Sequence, residues 1–290
     1  MKKIKTALIV AIIMLGTNCM AQKKDNHKLR YTPKQIQTTL DSICKEGFDL
    51  YVAEVVNWVS TDSALAHYDG NESYGGSYIW QPNENTWNAV FFDKNKDNCI
   101  FEYSLDLRTG EENFNYTPRP VTDTDTKQFT LKKKMMLNAL EKYGDSLTYD
   151  SNCGNPNFDF IRIDNNTIRL YIIQGTIHPN IIPFGNDYSI DFDNEGNPKQ
   201  FRKYHQSLIA IPTVNEDGEK IRTTYHSHLK DNPFITPTDI CNFLLYHGDM
   251  EQTWVLSTAL DCYIIYDAKT KSASFITRKA MNKIMKKMKD

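Results

Sequence analysis

Residues 222–246 read RTTYHSHLKDNPFITPTDICNFLLY, and the C-terminal half of the chain is built around this segment. We interpret it as a strand that ends at His228, a loop, and a helix that begins at Pro237. Thr236 is a favourable N-cap and proline suits the first helical position, so the helix has a defined start. Side chains two residues apart on a strand point to the same face, which places His226 beside His228.

His226, His228 and Asp239 have the composition of a metal site. Two histidines and a carboxylate are a common ligand set for catalytic zinc, with the fourth position left to water. The first turn of the helix can aim Asp239 back at the face that carries both histidines. We therefore predict zinc bound by these three residues; in the alternative interpretation the histidines are ordinary strand residues. Asp239 also forms a capping box with Thr236, worth about 1 kcal/mol to the helix, and the two roles are compatible.

Two further residues are candidates for the same site. His205 lies on a predicted strand over residues 200–211. It is an additional ligand or acid–base group in one interpretation and a half-buried strand residue in the other. Asp187 follows a turn, and it either binds the metal, acts as a base, or caps that turn.

The remaining segments predict an α+β fold: an N-terminal helix and antiparallel meander, then a C-terminal mixed β-sheet flanked by helices. We expect a signal peptide over residues 1–21, an N-terminal region over 22–150 and a C-terminal domain over 151–290, because residues 144–157 are rich in turn-forming residues. Predicted helices cover residues 32–45, 126–143, 237–246 and 277–289, while residues 48–59 fit a second helix or a buried strand. Predicted strands cover residues 77–81, 87–92, 99–107, 158–163, 167–174, 188–192, 200–211, 222–228, 253–257, 262–266 and 272–276.

The last predicted helix is basic and amphipathic. Met281, Ile284 and Met288 lie on one side and lysines on the other. Such a helix can lie on a membrane surface, but its modest length favours packing onto its own domain.

The N-terminus has the features of a bacterial secretory signal. Lys2, Lys3 and Lys5 precede a short apolar run over residues 7–15, and small residues lead to a cleavage site after Ala21. A lipoprotein acylated at Cys19 is the less favoured alternative. We therefore expect a secreted or periplasmic protein without a transmembrane anchor after cleavage.

Composition narrows the classes of partner. The formal net charge is −2 and 24% of residues are charged, so bulk charge does not indicate nucleic-acid binding.

Signal cleavage leaves five cysteines, an odd number without a Cys-x-x-Cys pair, which argues against a zinc ribbon. Cys241 and Cys262 flank a predicted helix-to-strand connection and are candidates for a disulfide, but small buried thiols are the favoured interpretation.

The motif resembles the signature of the JAMM/MPN metalloprotease core. That pattern is His-x-His-Pro, six residues, Ser, two residues, Asp, and then a helix and a strand; here Leu229 stands for the proline and Thr236 for the serine. The resemblance covers roughly residues 158–276, of which only the motif is specific. It implies zinc bound by the three residues named above, with Thr236 helping to stabilise the tetrahedral oxyanion. It also implies hydrolysis of a peptide or isopeptide bond in a peptide or protein substrate.

The general base of that family has no evident counterpart. The family uses a glutamate on an upstream strand, and no glutamate lies between Ile161 and Ile182. Gln174 is near the expected place, but an amide cannot accept a proton. The other acids considered are Glu54, Glu102, Asp187 and Asp191. Two functions follow: a zinc-dependent hydrolase with a non-standard base, or a non-catalytic secreted binding protein on the same scaffold.

Overall fold

The computed structural model describes residues 31–68 and 74–289, so the predicted signal peptide lies outside the described residues. From Tyr31 onward the chain forms one compact unit. Its elements confirm the α+β class. The helices in the described ranges are α1 (Pro33–His67), α2 (Asp123–Tyr143), α3 (Pro237–Tyr246) and α4 (Arg278–Lys289). The strands are β1 (Tyr74–Asn83), β2 (Thr86–Asp93), β3 (Asn98–Asp106), β4 (Glu111–Asn115), β5 (Arg119–Pro120), β6 (Pro156–Asp164), β7 (Thr167–Gln174), β8 (Ile181–Phe184), β9 (Tyr188–Phe192), β10 (Pro198–Lys203), β11 (Ile209–Pro212), β12 (Thr223–His228), β13 (Gln252–Ser257), β14 (Cys262–Asp267) and β15 (Ser272–Thr277).

Helix α1 is much longer than the first predicted helix, because the ambiguous apolar segment over residues 48–59 continues it. Thr32 caps its start in a capping box with Gln35. The N-terminal turns bury Leu40 in a core shared with α3 and the last sheet. Further along, Val56 joins a second core that combines the meander with β6 and β7. Packing therefore extends across the predicted boundary near residue 150, with α1 as the common element.

The N-terminal meander is confirmed. Strands β1, β2, β3 and β4 pair in that order, all antiparallel, and β5 pairs with β3. Strand β4 lies between the predicted strand over residues 99–107 and the predicted helix over 126–143, where no strand was predicted. All five of its residues are exposed, so it has no buried face and no hydrophobic alternation by which it could be recognised.

The segment over residues 200–211, predicted as one strand, is divided in the structure. Strand β10 pairs with β9 in the sheet β10-β9-β7-β6, whereas β11 pairs with β8 in a separate ribbon. His205 lies in the break between them. Gly185 permits this arrangement: its φ is +89°, and a Cβ there would overlap the carbonyl oxygen of Ser207.

The last sheet has the order β12-β13-β14-β15. Strands β12 and β13 are parallel, and α3 forms the crossover between them, as parallel neighbours require. Strands β13 to β15 are antiparallel, so the sheet is mixed as predicted. Helix α3 has the predicted bounds.

Cys241 and Cys262 are both buried and unpaired, and burial raises the pKa of Cys262 to about 11. Within the part of the chain that the structure describes, no helix combines the length and apolar character needed to cross a membrane.

Candidate metal centre

Four side chains converge next to the end of β12. They are His205, His226, His228 and Asp239, and one ligand atom from each lies within 4.8 Å of every other. All four are buried, with 6, 5, 3 and 1% of their surfaces exposed. This buried group could hold a metal ion. It brings together the three ligands of the motif and adds His205, which the sequence presented only as a further candidate.

The motif residues are placed by local structure. His226 and His228 share one face of β12, and the ring of Phe184 packs against His226 with centroids 4.8 Å apart. Asp239 occupies the third helical position of α3, where its Oδ2 accepts a hydrogen bond from the Thr236 amide at 2.8 Å. The predicted capping box is therefore present, and it aims the carboxylate at the histidines.

His205 reaches the group through a hydrogen-bonded turn after β10. Its backbone amide donates to Asp187 Oδ1 at 3.2 Å. From the other side, the amide group of Asn232, in the loop of the motif, donates to the carbonyls of Lys203 and Tyr204 at 3.1 and 2.7 Å. The loop after β12 and the turn that carries His205 are thereby joined.

The distances between ligand atoms are short. His228 Nε2 lies 2.9 Å from His205 Nε2 and 3.1 Å from His226 Nε2. Asp239 Oδ1 lies 3.3 Å from both His205 Nε2 and His226 Nε2, and its Oδ2 lies 3.3 Å from His228 Nε2. Three imidazole nitrogens and one carboxylate thus surround a single point.

The outer nitrogens of two rings have acceptor partners. His205 Nδ1 lies 2.9 Å from both oxygens of Asp187, and His228 Nδ1 lies 2.5 Å from the carbonyl oxygen of Phe234. Because only an N–H can donate to these oxygens, each ring carries its proton on Nδ1. In the neutral tautomer, Nε2 of both rings is then a lone pair directed at the centre.

The charges at the centre favour a bound cation. Burial alone would lower the pKa of His205, but the carboxylates of Asp187 and Asp239 raise it to about 9. Burial lowers the pKa of His226. Burial would raise the pKa of Asp239, but the three histidines hold it well below its usual range. At neutral pH the group therefore keeps the Asp239 carboxylate beside a protonated His205, and a bound metal ion would take the place of that proton.

Among the described residues, two buried side-chain atoms of the four ligands lack hydrogen-bond partners: Asp239 Oδ1 and His226 Nδ1. Buried polar atoms without partners are uncommon and require an explanation. A cation at the centre would satisfy Asp239 Oδ1, which lies on the inner side of the group. His226 Nδ1 lies on the outer side of its ring, opposite the Nε2 that faces His228.

The residues considered as a general base lie in different surroundings. Asp187 does not join the four ligand atoms; it contacts the outer nitrogen of His205 and accepts a hydrogen bond from Thr238. Gln174 holds the loop at Asp150 and Gly154 through its side-chain amide. The other candidates have partners elsewhere: Glu54 with Asn157, Glu102 with Arg119, and Asp191 with Arg169.

Thr236 and Thr238 add hydroxyl groups beside the centre. Thr236 Oγ1 accepts from the Asp239 amide at 3.1 Å and lies 2.8 Å from Thr238 Oγ1. The oxyanion role of Thr236 stays a prediction. Sequence reasoning did not identify Thr238 or the carbonyl of Phe234, because the partner of an outer imidazole nitrogen depends on the path of the loop.

A cleft of about 180 Å³ adjoins the centre and is lined in part by His205, His228 and Leu229.

Comparisons with protein-family models, curated proteins and solved structures found no match to this chain.

Proposed function

We propose that this protein binds one zinc ion through His205, His226, His228 and Asp239. The single observation that carries the proposal is that four buried ligand atoms, three imidazole nitrogens and one carboxylate oxygen, lie within 4.8 Å of one another. The approach of His205 Nε2 to His228 Nε2 at 2.9 Å fits a shared cation, either a proton or a metal ion, because two neutral imidazoles protonated on Nδ1 would oppose lone pairs there.

The spacing of the donors suits zinc. Zinc binds imidazole nitrogen and carboxylate oxygen at about 2.0–2.1 Å, so the ligand atoms of a tetrahedral site are about 3.3–3.4 Å apart. Five distances at this centre, which include contacts to both Asp239 oxygens, range from 2.9 to 3.3 Å, and all separations among the four ligand atoms are within 4.8 Å. Imidazole ligands with a carboxylate also suit zinc chemically, and the hydrogen-bonded outer nitrogens of two rings are the usual support of such ligands.

Four protein ligands complete a tetrahedron, which is typical of a structural zinc site. In this arrangement the ion joins the turn after β10, strand β12 and helix α3, segments that are distant in sequence. The proposed function is accordingly that of a secreted zinc-binding protein on a JAMM-like strand–loop–helix, without a catalytic water. Secretion is inferred from the N-terminal sequence, and the JAMM relationship from the motif over residues 226–239.

Metal analysis tests the proposal directly. Protein prepared without a histidine tag is expected to contain one zinc per chain, and His226→Ala, His228→Ala and Asp239→Ala to lose it. His178→Ala is a matched control, because His178 is exposed and its ring is hydrogen-bonded to a backbone carbonyl, that of Asn152, away from the four ligands. Zinc at background level in the unaltered protein, or undiminished in the ligand variants, would refute the site.

A zinc-dependent peptidase is the second candidate, favoured by the cleft that reaches His205 and His228. Bound zinc would supply Lewis acidity and a water of lowered pKa. For that chemistry His205 must leave a coordination position open. The absorption spectrum of the Co²⁺-substituted protein distinguishes the two: four-coordinate cobalt absorbs strongly and retains its spectrum when azide is added, whereas an open position binds azide and changes it.

A further inference from the structure

The C-terminal helix α4 has an apolar side that the rest of the described chain leaves largely uncovered. Ile284 and Met288 are 46% and 48% exposed, and Met281 and Met285 are half-buried. At about 100° per residue these side chains fall within an arc of about 100°. Packing onto its own domain, which the sequence favoured, does not bury this stripe.

The other side of α4 is strongly basic. The side chains of Lys279, Lys283, Lys286 and Lys287 are exposed, and none has a salt-bridge partner among the described residues. The helix Arg278–Lys289 contains no Asp or Glu, and it carries six positive charges in a chain whose formal net charge is −2. Positive charge is therefore concentrated in this helix.

We propose that α4 is a docking helix for the surface of an anionic phospholipid bilayer. A short helix with exposed methionine and isoleucine on one side and lysines on the other suits the boundary between headgroups and acyl chains. Its lysines can extend their apolar stems along the lipid and keep their charges at the headgroups. A bilayer can take up the apolar stripe without a shaped groove, whereas a protein partner would have to supply a groove that fits it.

The two halves of the helix contribute separately. Each lysine near an anionic leaflet strengthens binding about fivefold, so replacing three of them should weaken it about 100-fold. Replacing Ile284 and Met288 by serine removes apolar burial and keeps every charge. We expect that change to weaken binding at least about tenfold.

Co-sedimentation of the full chain with vesicles tests the proposal. Equal mixtures of phosphatidylglycerol and phosphatidylcholine should bind the protein at low ionic strength, and pure phosphatidylcholine should not. Lys283→Gln/Lys286→Gln/Lys287→Gln and Ile284→Ser/Met288→Ser should each lose binding. Ile177→Ser is the matched control, since Ile177 is 73% exposed outside α4, and it should bind like the unaltered protein.

Three results would overturn the proposal. If both multiple variants bind as the unaltered protein does, another segment such as the N-terminus holds the vesicle. If only the lysine variant loses binding, the attraction is electrostatic and the apolar stripe does not insert. If polyglutamate binds and vesicles do not, the partner is an acidic polypeptide. Circular dichroism and thermal unfolding of each variant verify that the fold is retained.

Discussion

Replacing Asp187 by asparagine should weaken zinc binding although Asp187 is not a ligand. Its carboxylate accepts from His205 Nδ1 at 2.9 Å and from the His205 amide at 3.2 Å, and Thr238 donates to its other oxygen. An asparagine has one acceptor oxygen for these donors. Its NH₂ group would face either the Thr238 hydroxyl or His205 Nδ1.

The second orientation would move the His205 proton to Nε2 and remove the lone pair that binds the metal. Loss of such a supporting hydrogen bond typically lowers metal affinity about 10- to 100-fold, or about 1.4–2.7 kcal/mol. Affinity is measured by competition with a chromophoric zinc chelator. His205→Ala should lose more than Asp187→Asn, because it removes a ligand outright.

Asp191→Asn is the matched control. Asp191 is also a buried aspartate on the same sheet region, but it pairs with Arg169 rather than with a histidine, and zinc affinity should not change. If Asp187→Asn binds zinc within about twofold of the unaltered protein while His205→Ala is strongly impaired, the support assigned to Asp187 is wrong.

Two further perturbations test the packing around the site and the core. Gly185→Ala should reduce both stability and zinc content, because a Cβ there would overlap the Ser207 carbonyl. Gly218→Ala is the control, since Gly218 has a similar positive φ but open surroundings. Equal unfolding free energies for the two variants would contradict the role of the close approach between Gly185 and Ser207. Burial and the neighbouring Asp159 raise the pKa of Glu54 well above 4.5. The folded state therefore retains a proton that the unfolded state releases. As a result, the free energy of unfolding falls as pH rises above 4.5, by at most about 1.4 kcal/mol per pH unit. Glu54→Gln should diminish this loss in urea unfolding at pH 5.5 and 8, and an unchanged pH dependence would assign it to other groups.

Local sequence signals predicted the elements whose first and last residues are marked by capping or turn-forming residues nearby in the chain. Helix α3 was predicted to the residue because Thr236, Pro237 and Asp239 form a complete N-terminal signal within four residues. The first three strands of the meander were likewise predicted, at residues 77–81, 87–92 and 99–107, close to the observed β1, β2 and β3. Strand β4 was missed because all its side chains are exposed, which leaves no periodicity to detect.

Long-range packing resolved what local patterns left open. Residues 48–59 satisfied helix and strand patterns equally, and in the structure they continue α1 and pack in the core shared with the meander, β6 and β7. The break that separates β10 from β11 depends on Gly185 and Ser207 meeting across the ribbon, a contact between residues far apart in the chain.

The candidate metal centre shows the same distinction between local and long-range information. The sequence by itself determined His226, His228 and Asp239 as a set, since strand alternation and a helix cap constrain all three within 14 consecutive residues. Only the tertiary structure decided that His205 is the fourth member and that Asp187 stands behind it as a hydrogen-bond partner. His205 belongs to a different segment, in the break between β10 and β11. That break reflects the pairing of β10 with β9 and of β11 with β8. A ligand set within one strand–loop–helix can be inferred from local geometry, whereas a ligand brought in by the fold depends on interactions that no short stretch of sequence contains.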